Sequence, residues 1–426
     1  MPIAAAVMLV LSLIVCLRLL QLSGDLGLLR ASHLQRSPER GSSEEDPQTA
    51  VILCVRGADP SLHDCLRGLA GQTHNNFTVH VVVDHKSDPA LGVLREAALR
   101  DRRIRIHEIP GPPPRHRGLK VTAILHAVRQ LPVSVERVAF IDADVIAHPN
   151  WLRELTEPLA DPAIGACTGT RWFIPDDTGL GSLVRTEWNF YATAFMVRHS
   201  ILWGGSFAMR AAALEEALRE GLWEYKLCED TCLGDFFRRV GRRTVIVPSV
   251  AMANPETCTL SGSAAFITRQ QTFTWLYSAA AGQIIGFGMI FTALCLITPV
   301  FAALAVWQGS LFTASAGVLA YVLLHAAVVH LEWRGHRLPY VLRPEMASQP
   351  VSSATPLWKL YVAQLLCAAI SFYACVRAVF AVQMSWRGIQ YRIQRSPVRV
   401  EMLQYRPFSE TRTLERLSGG AGRMSI

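Results

Sequence analysis

Asp142 and Asp144 stand one residue apart, directly after the apolar run Val138 to Ile141. Such a run reads as a buried strand, and in extended backbone residues two apart point to the same face. The strand's carboxyl end then presents two carboxylates side by side, which repel each other unless a cation intervenes. Hard oxygen donors suit Mg²⁺ or Mn²⁺, ions that also bind phosphate oxygens. A divalent ion shared by Asp144, Asp142 and a diphosphate would stabilise a departing phosphate. The solvated turn after a buried strand is the alternative.

Other groups of chemical interest follow the same logic of position. Asp84 ends the apolar run Val79 to Val83, so it is either a carboxylate at the sheet edge or a cap on the next helix. Lys120 opens a helix after Arg115-His116-Arg117-Gly118, placed to reach a phosphate or to sit in a solvated basic loop. Glu229-Asp230 precedes Thr231 at a helix start, again as reactive carboxylates or as a cap. Gly204-Gly205 follows Trp203 and removes side chains where backbone must approach a ligand or turn tightly. Cys228 and Cys232 share a helical spacing, but no second Cys/His pair nearby completes a zinc site.

These residues need a scaffold. Ala50 to Val55, Thr78 to Val83, Ile104 to Ile109 and Val138 to Ile141 read as strands, and Leu62 to Ala70, Ala90 to Leu99 and Leu119 to Gln130 as the helices between them. That alternation predicts an α/β domain with a mainly parallel sheet over residues 48–262, carrying its site at the strands' carboxyl ends.

A mean hydropathy of +0.24 is high for a soluble enzyme. Residues 1–21 read as an uncleaved membrane anchor, since no basic region precedes the apolar run, and Arg30, Arg36 and Arg40 place its carboxyl side in the cytoplasm. A polar linker, 37–47, leads into the domain. Residues 263–282 read as an amphipathic interface helix, 283–384 as transmembrane or interfacial helices, and 385–426 as a basic tail. Gln283 to Trp307, Leu311 to His330 and Leu357 to Val382 each have spanning length. Three full crossings would carry the tail's Arg387, Arg392, Arg395 and Arg399 to the wrong side, so either the third segment does not cross or a crossing is miscounted. The net charge of +8 sits beside apolar segments and in the tail, a pattern for anionic lipid rather than nucleic acid. Ten cysteines without a Cys-x-x-Cys pair fit a reduced compartment. The reading is an integral membrane protein with a cytoplasmic catalytic domain, in the cell membrane if bacterial.

The ordered set Asp84, Asp142-Ala143-Asp144, Glu229-Asp230 and Gln271-x-x-x-Trp275, followed by membrane helices, resembles the membrane-bound glycosyltransferases of family 2. Arg56-Gly57 with Asp59-Pro60, Gly204-Gly205-Ser206 before Met209-Arg210, and Trp386-Arg387-Gly388 with Tyr391 make it most similar to the ceramide glucosyltransferase-like branch. The resemblance implies a GT-A type, nucleotide-sugar-binding domain with Asp84 on the uridine of a UDP-sugar, Lys120 on phosphate, and Asp142 and Asp144 at the metal and diphosphate. It implies Asp230 as general base in an inverting displacement, positioned by Glu229, with Gly204 and Gly205 framing the acceptor pocket and Gln271 and Trp275 binding substrate. Thr274 stands where the family motif carries arginine, which removes a bidentate phosphate donor; Arg269 lies nearby and offers that charge from another angle. The implied acceptor is a membrane lipid such as ceramide. The alternatives are a polysaccharide synthase of the cellulose or hyaluronan type and a catalytically silent membrane scaffold.

Overall fold

Val51, Leu53 and Val55 pack on one side of the first strand and Ala50 and Ile52 on the other, all buried, as a strand covered on both faces requires. In the computed structural model, which describes residues 2–34, 46–348 and 355–409, this strand, β1 (Thr49–Val55), lies inside a seven-stranded sheet. The others are β2 (Phe77–Val83), β3 (Ile104–Glu108), β4 (Arg137–Asp142), β5 (Ile164–Phe173), β6 (Ser206–Arg210) and β7 (Arg243–Asn254). Their order is β3-β2-β1-β4-β6-β5-β7, and β6 alone runs antiparallel to its neighbours β4 and β5. The expected mainly parallel α/β sheet is present.

The order reverses between β1 and β4. Strands β1 to β3 proceed outward, after which the chain returns to place β4 on the free side of β1. Crossovers on the two sides then leave the sheet in opposite directions and open a crevice at the strands' carboxyl ends, the place where open α/β sheets bind ligands. Asp142 ends β4, Asp84 follows β2 and Arg56 follows β1, so the topology brings them together.

After the first helix, α1 (Pro2–Leu34), the crossovers α2 (Leu62–Ala70), α3 (Ala90–Arg100) and α4 (Leu119–Val128) match the expected helices closely. Then come α5 (Trp151–Thr156), the long α6 (Leu180–His199), α7 (Ala211–Arg219), α8 (Leu233–Arg239) and α9 (Leu260–Tyr277). The remaining helices are α10 (Ala281–Trp307), α11 (Leu311–Leu342) and α12 (Leu357–Phe380). Helices α1, α10, α11 and α12 are long and apolar enough to cross a membrane.

Several boundaries differ from the sequence expectation, each for a physical reason. Helix α1 continues to Leu34, past the expected limit at residue 21, because Asp25 meets a partner: Arg198 of α6 donates to its carboxylate at 2.8 and 3.2 Å. The expected linker falls largely outside the described residues. Helix α9 is not one-sided, since Phe266, Ile267, Gln271 and Phe273 are all buried and the helix is covered by α6 and α12. The described part of the basic tail is folded into a three-stranded antiparallel sheet, β8 (Gln383–Trp386), β9 (Ile389–Arg395) and β10 (Val398–Gln404). Residues 410–426 of that tail lie outside the description.

Helix α12 touches the catalytic domain at its start and, at its end, the C-terminal sheet that packs on that domain. Lys359 Nζ donates to the carbonyl and hydroxyl oxygens of Thr178 at 3.1 and 3.2 Å, and Arg395 of β9 donates to Ala381 O at 3.0 Å. Helices α10 and α11 form an antiparallel excursion that leaves and returns. Helix α12 therefore starts and finishes on the catalytic side, which favours the non-crossing alternative for this segment. Leu357, the first residue of α12, and Val382, just past its end, are 84% and 63% exposed, whereas the ten native cysteines are buried or half-buried. Leu357→Cys and Val382→Cys are expected to react with a membrane-impermeant maleimide from the same face of sealed vesicles; labelling from opposite faces would show a full crossing.

Candidate active site

Lys120 is the centre of the crevice. Its Nζ lies 2.7 Å from Asp142 Oδ1 and 2.6 Å from Glu229 Oε1, and donates to Gly204 O at 3.4 Å. Burial pulls its pKa down, but the two carboxylates outweigh that and hold it well above its ordinary value. Glu229 is fully buried beside Asp230 and shares one cation with Asp142, and burial pushes it up to about 7 against the pull of Lys120.

Glycine is required at two adjoining positions. A Cβ on Gly204 would stand 2.6 Å from Glu229 Oε1 and 2.8 Å from Asp230 Oδ2, and one on Gly205 would overlap the Trp203 ring. With no side chain in the way, Gly204 N–H donates to Asp230 Oδ2 at 2.7 Å. Thr231 donates to Asp230 Oδ1 from its N–H at 2.6 Å and its hydroxyl at 3.0 Å. Each Asp230 oxygen is thus held from behind by protein donors, which fixes the carboxylate's orientation.

Two cavities meet at this carboxylate. The first, roughly 1250 Å³ with its mouth included, lies over the carboxyl ends of β1, β2 and β4 and contains Asp84, Lys120, Asp142, Asp144, Glu229 and Arg269. The second, roughly 1370 Å³, runs between α6, α9, α10, α11 and α12 and is walled largely by apolar side chains. Arg171, Trp203, Asp230 and Gln270 line both.

In the first cavity Asp84 is 4% exposed, its Oδ2 bonded to Arg56 and its Oδ1 without a partner. A buried unpartnered carboxylate oxygen is costly unless a ligand supplies its donor. Asp144 is pushed up to about 6, first by burial and then by Asp142, with Arg171 and Arg387 opposing. Asn254 Nδ2 lies 3.4 Å from its Oδ2. Asp142, paired with Lys120, and Asp144, only partly compensated by Arg171 and Arg387, are hard oxygen donors of the kind a divalent cation takes. Among the described residues no group of three or more His, Cys, Asp or Glu is arranged to hold a metal. An ion at Asp142 and Asp144 would then take further oxygens from a ligand or water.

The sequence-expected residues divide between the two cavities. Asp84, Lys120, Asp142, Asp144, Gly204, Gly205, Glu229 and Arg269 border the first, Gln271 borders the second, and Trp275 lines neither. Thr274, the departure from the family motif, faces the second cavity. Besides Lys120 and Arg56, the positive charge at the first comes from Arg269 together with two residues not singled out beforehand as site residues, Arg171 on β5 and Arg387 at the β8–β9 turn. Burial and then the nearness of Arg171 and Arg387 lower the Arg269 pKa to about 10, so the three guanidinium groups converge. Arg171 is the one charged residue of β5, a legible signal for a functional charge within the sheet.

The C-terminal sheet roofs this cavity. Arg387 and Gly388 have φ of 50° and 76°, as a two-residue hairpin turn of mirror-image type demands, and the turn presents Trp386 and Arg387 to the cavity. Arg387 is 3.5 Å from Asp59, Arg56 donates to Arg387 O at 3.0 Å and Arg406 O at 2.8 Å, and Tyr405 donates to Asp84 O at 3.0 Å.

A family model described as glycosyltransferase-like family 2 matches residues 47–278, more than half of the chain. The chain belongs to that family. Comparison with curated proteins by sequence gives no match. Among solved structures, it is similar to a mannosyltransferase from Pyrobaculum calidifontis in complex with GDP-Man and Mn²⁺, at 17% identity over 88% of this chain and 99% of that one, with a TM-score of 0.47. It is also similar to glucosyl-3-phosphoglycerate synthase from Mycobacterium tuberculosis in complex with Mn²⁺, UDP-glucose and phosphoglyceric acid, at 16% identity over 56% of this chain and 86% of that one, with a TM-score of 0.36.

The transferase's buried Glu229 generates a pH test. Below about pH 7 Glu229 takes a proton and releases its half of the Lys120 ion pair, so the anchored arrangement belongs to the alkaline side. Glu229→Gln fixes the neutral form. Its activity is expected to be reduced about tenfold at pH 8, with no step near pH 7 where the wild type shows one in kcat/KM; an unchanged step in the variant would assign it to another group.

Proposed function

We propose that this chain is an inverting, metal-dependent hexosyltransferase of the ceramide glucosyltransferase-like branch. It moves a sugar from a UDP-sugar to a hydroxyl of a membrane lipid, with its catalytic domain in the cytoplasm. One observation carries the reading: Asp230 stands where a polar, arginine-lined cavity meets an apolar cavity enclosed by membrane-type helices. A water-soluble donor and a lipid acceptor enter from opposite sides and meet at the one carboxylate both sides share.

The nucleotide lies over the ends of β1 and β2, where Asp84 Oδ1 accepts from the uracil or ribose and Arg56 holds the carboxylate still. Arg171, Arg269 and Arg387 surround the diphosphate, and Arg387 takes over the charge that Thr274 does not supply. Asp144 and Asp142 would hold Mg²⁺ or Mn²⁺, which when bound would supply Lewis-acid stabilisation to the diphosphate leaving group. Lys120 keeps Asp142 and Glu229 in place and adds positive charge beside them. Asp230 accepts the proton of the acceptor hydroxyl as its oxygen bonds to the anomeric carbon, while the bond to the β-phosphate oxygen breaks and its electron pair departs with the nucleotide diphosphate. Base and leaving group on opposite faces give inversion. Gln270, which borders both cavities, is placed to touch donor and acceptor at once.

Purified protein with Mn²⁺ or Mg²⁺, a panel of radiolabelled UDP-sugars and extracted lipids is expected to give a labelled chloroform-soluble product. Asp230→Asn is expected to lower that rate about 10²- to 10⁴-fold, and a chelator to abolish it. Label recovered in insoluble polymer would replace the reading by a polysaccharide synthase, and no donor turnover would favour the silent scaffold. Arg387→Ala is expected to raise the donor KM about 10- to 100-fold, the worth of one charged hydrogen bond; an unchanged donor KM would remove Arg387 from the donor site.

A further inference from the structure

Arg56 and Arg387 clasp each other across the polar cavity's rim. The Arg56 guanidinium donates to Arg387 O at 3.0 Å, and Arg387 Nη1 reaches back to Arg56 O at 3.5 Å. The backbone of the hairpin turn is thereby fixed, whereas this contact holds the Arg387 side chain only at long range. An arginine side chain left to itself explores many rotamers, and ordering it on a ligand costs binding energy.

A second contact comes from Asp59, whose Oδ2 lies 3.5 Å from Arg387 Nη2. Both residues line the polar cavity. The Asp59 side chain is 2% exposed, and its Oδ2 has no hydrogen-bond partner among the described residues. A carboxylate oxygen so buried needs a donor from the protein or from a ligand. Asp59 is held where it stands. Its Oδ1 accepts from Ser61 N–H at 3.0 Å and its carbonyl from Leu62 N–H at 3.1 Å, an Asx-type turn that leads into α2. Two residues earlier Gly57, with φ of 79°, donates its N–H to the Asp88 oxygens at 3.1 and 2.9 Å. The loop after β1 is therefore a fixed base from which Oδ2 faces Arg387.

Among the described residues Asp59 is the carboxylate within ion-pair distance of Arg387. A charge-assisted N–H···O bond closes at about 2.7–2.9 Å, so this pair is not drawn tight. Arginine carries five N–H donors in a rigid fork. With its Nη1 and Nη2 turned to Arg56 O and Asp59 at long range, Arg387 keeps donor capacity for a ligand in the cavity.

We propose that Asp59 is a positioning residue of the donor site: it holds the Arg387 guanidinium in the polar cavity, so that a nucleotide diphosphate meets a cation already in place. The inference rests on the placement of Arg387 at the diphosphate given above and adds the group that sets it there. The sign of the effect separates positioning from mere proximity. A carboxylate that held nothing in place would only repel the diphosphate, and removing its charge would tighten binding; a carboxylate that positions Arg387 aids binding, and removing its charge weakens it.

The test is calorimetric binding of UDP and of GDP, each with Mn²⁺, to the purified protein in detergent, continued with whichever nucleotide binds more tightly. Asp59→Asn removes the charge and keeps an oxygen for Ser61 N–H. It is expected to weaken binding about tenfold, and Arg387→Ala about 10- to 100-fold. Adding Asp59→Asn to Arg387→Ala is expected to change the constant by less than about twofold, because the group that Asp59 positions is already gone. Damage to the turn would instead cost the same factor in both backgrounds. Asp59→Ser, whose hydroxyl also accepts from Ser61 N–H, carries the cycle should the asparagine variant not fold. Unchanged or tighter binding by Asp59→Asn, or an equal loss with and without Arg387, overturns the proposal. An unchanged constant in Arg387→Ala overturns the donor role of Arg387, and absence of binding of either nucleotide by the wild type overturns the nucleotide-sugar reading; each takes this inference with it.

Discussion

The site depends on one buried cation held between two carboxylates. Lys120 comes from the start of α4, Asp142 from the end of β4 and Glu229 from the segment before α8, and the ammonium group ties the three together. Each charge alone would be costly in so dry a place, and removing any one leaves the others uncompensated. The carboxylate that both cavities share sits next to this knot in sequence and in space. Asp230 follows Glu229, and Gly204, whose carbonyl accepts from Lys120, sends its N–H to Asp230. The position of Asp230 is thereby coupled to the strand end that presents Asp142 and Asp144.

A second constraint comes from the far end of the chain. The β8–β10 sheet closes the donor side through Arg56, which bonds both to Asp84 and to the carbonyls of Arg387 and Arg406. Tyr391 accepts from the N–H of Leu119, at the first turn of α4, so the sheet also fixes the helix that carries Lys120. For the chain to return here after α10 and α11, α12 must begin and end on the catalytic side. An odd number of full crossings after the catalytic domain would carry Arg387 away from the cavity it lines. The roof over the donor and the lie of α12 are therefore one structural decision.

Much of this was legible and some was not, and the difference has physical causes. The first four strands announce themselves as apolar runs with helices of regular period between them, and the carboxylates at their ends follow from topology. Arg171 was readable as the one charge within β5, yet it is a single residue without a motif around it. The C-terminal sheet was obscured by its arginines. Ile389, Tyr391 and Ile393 alternate with Gln390, Arg392 and Gln394, the period of a half-buried strand, but the charge drew attention before the period. The end of α1 was hidden for another reason: Ser23, Gly24 and Asp25 look like a break, and only the distant Arg198 makes a helical Asp25 affordable. Gln271 and Trp275, four residues apart, were both read as substrate-binding, whereas the helix turns Gln271 and Thr274 toward the apolar cavity and Arg269 and Phe273 toward the polar one, and Trp275 lines neither.

That division on α9 explains why losing an arginine at Thr274 need not weaken the donor site. A guanidinium at that position would project into the largely apolar cavity enclosed by α6, α10, α11 and α12, where an unpaired charge is costly. Arg387 reaches the donor from the opposite wall, on a hairpin turn whose backbone is already held by Arg56, so its charge arrives without crossing the acceptor path. With the cations on the donor side and the acceptor side nearly apolar, the shared wall of Arg171, Trp203, Asp230 and Gln270 becomes the place where the electrostatic environment changes. Asp230 at that boundary faces a cavity rich in positive charge on one side and one walled largely by apolar side chains on the other. Under the proposed function, a ligand filling the apolar cavity would leave water little room beside Asp230, and displacement by its hydroxyl would be favoured over hydrolysis.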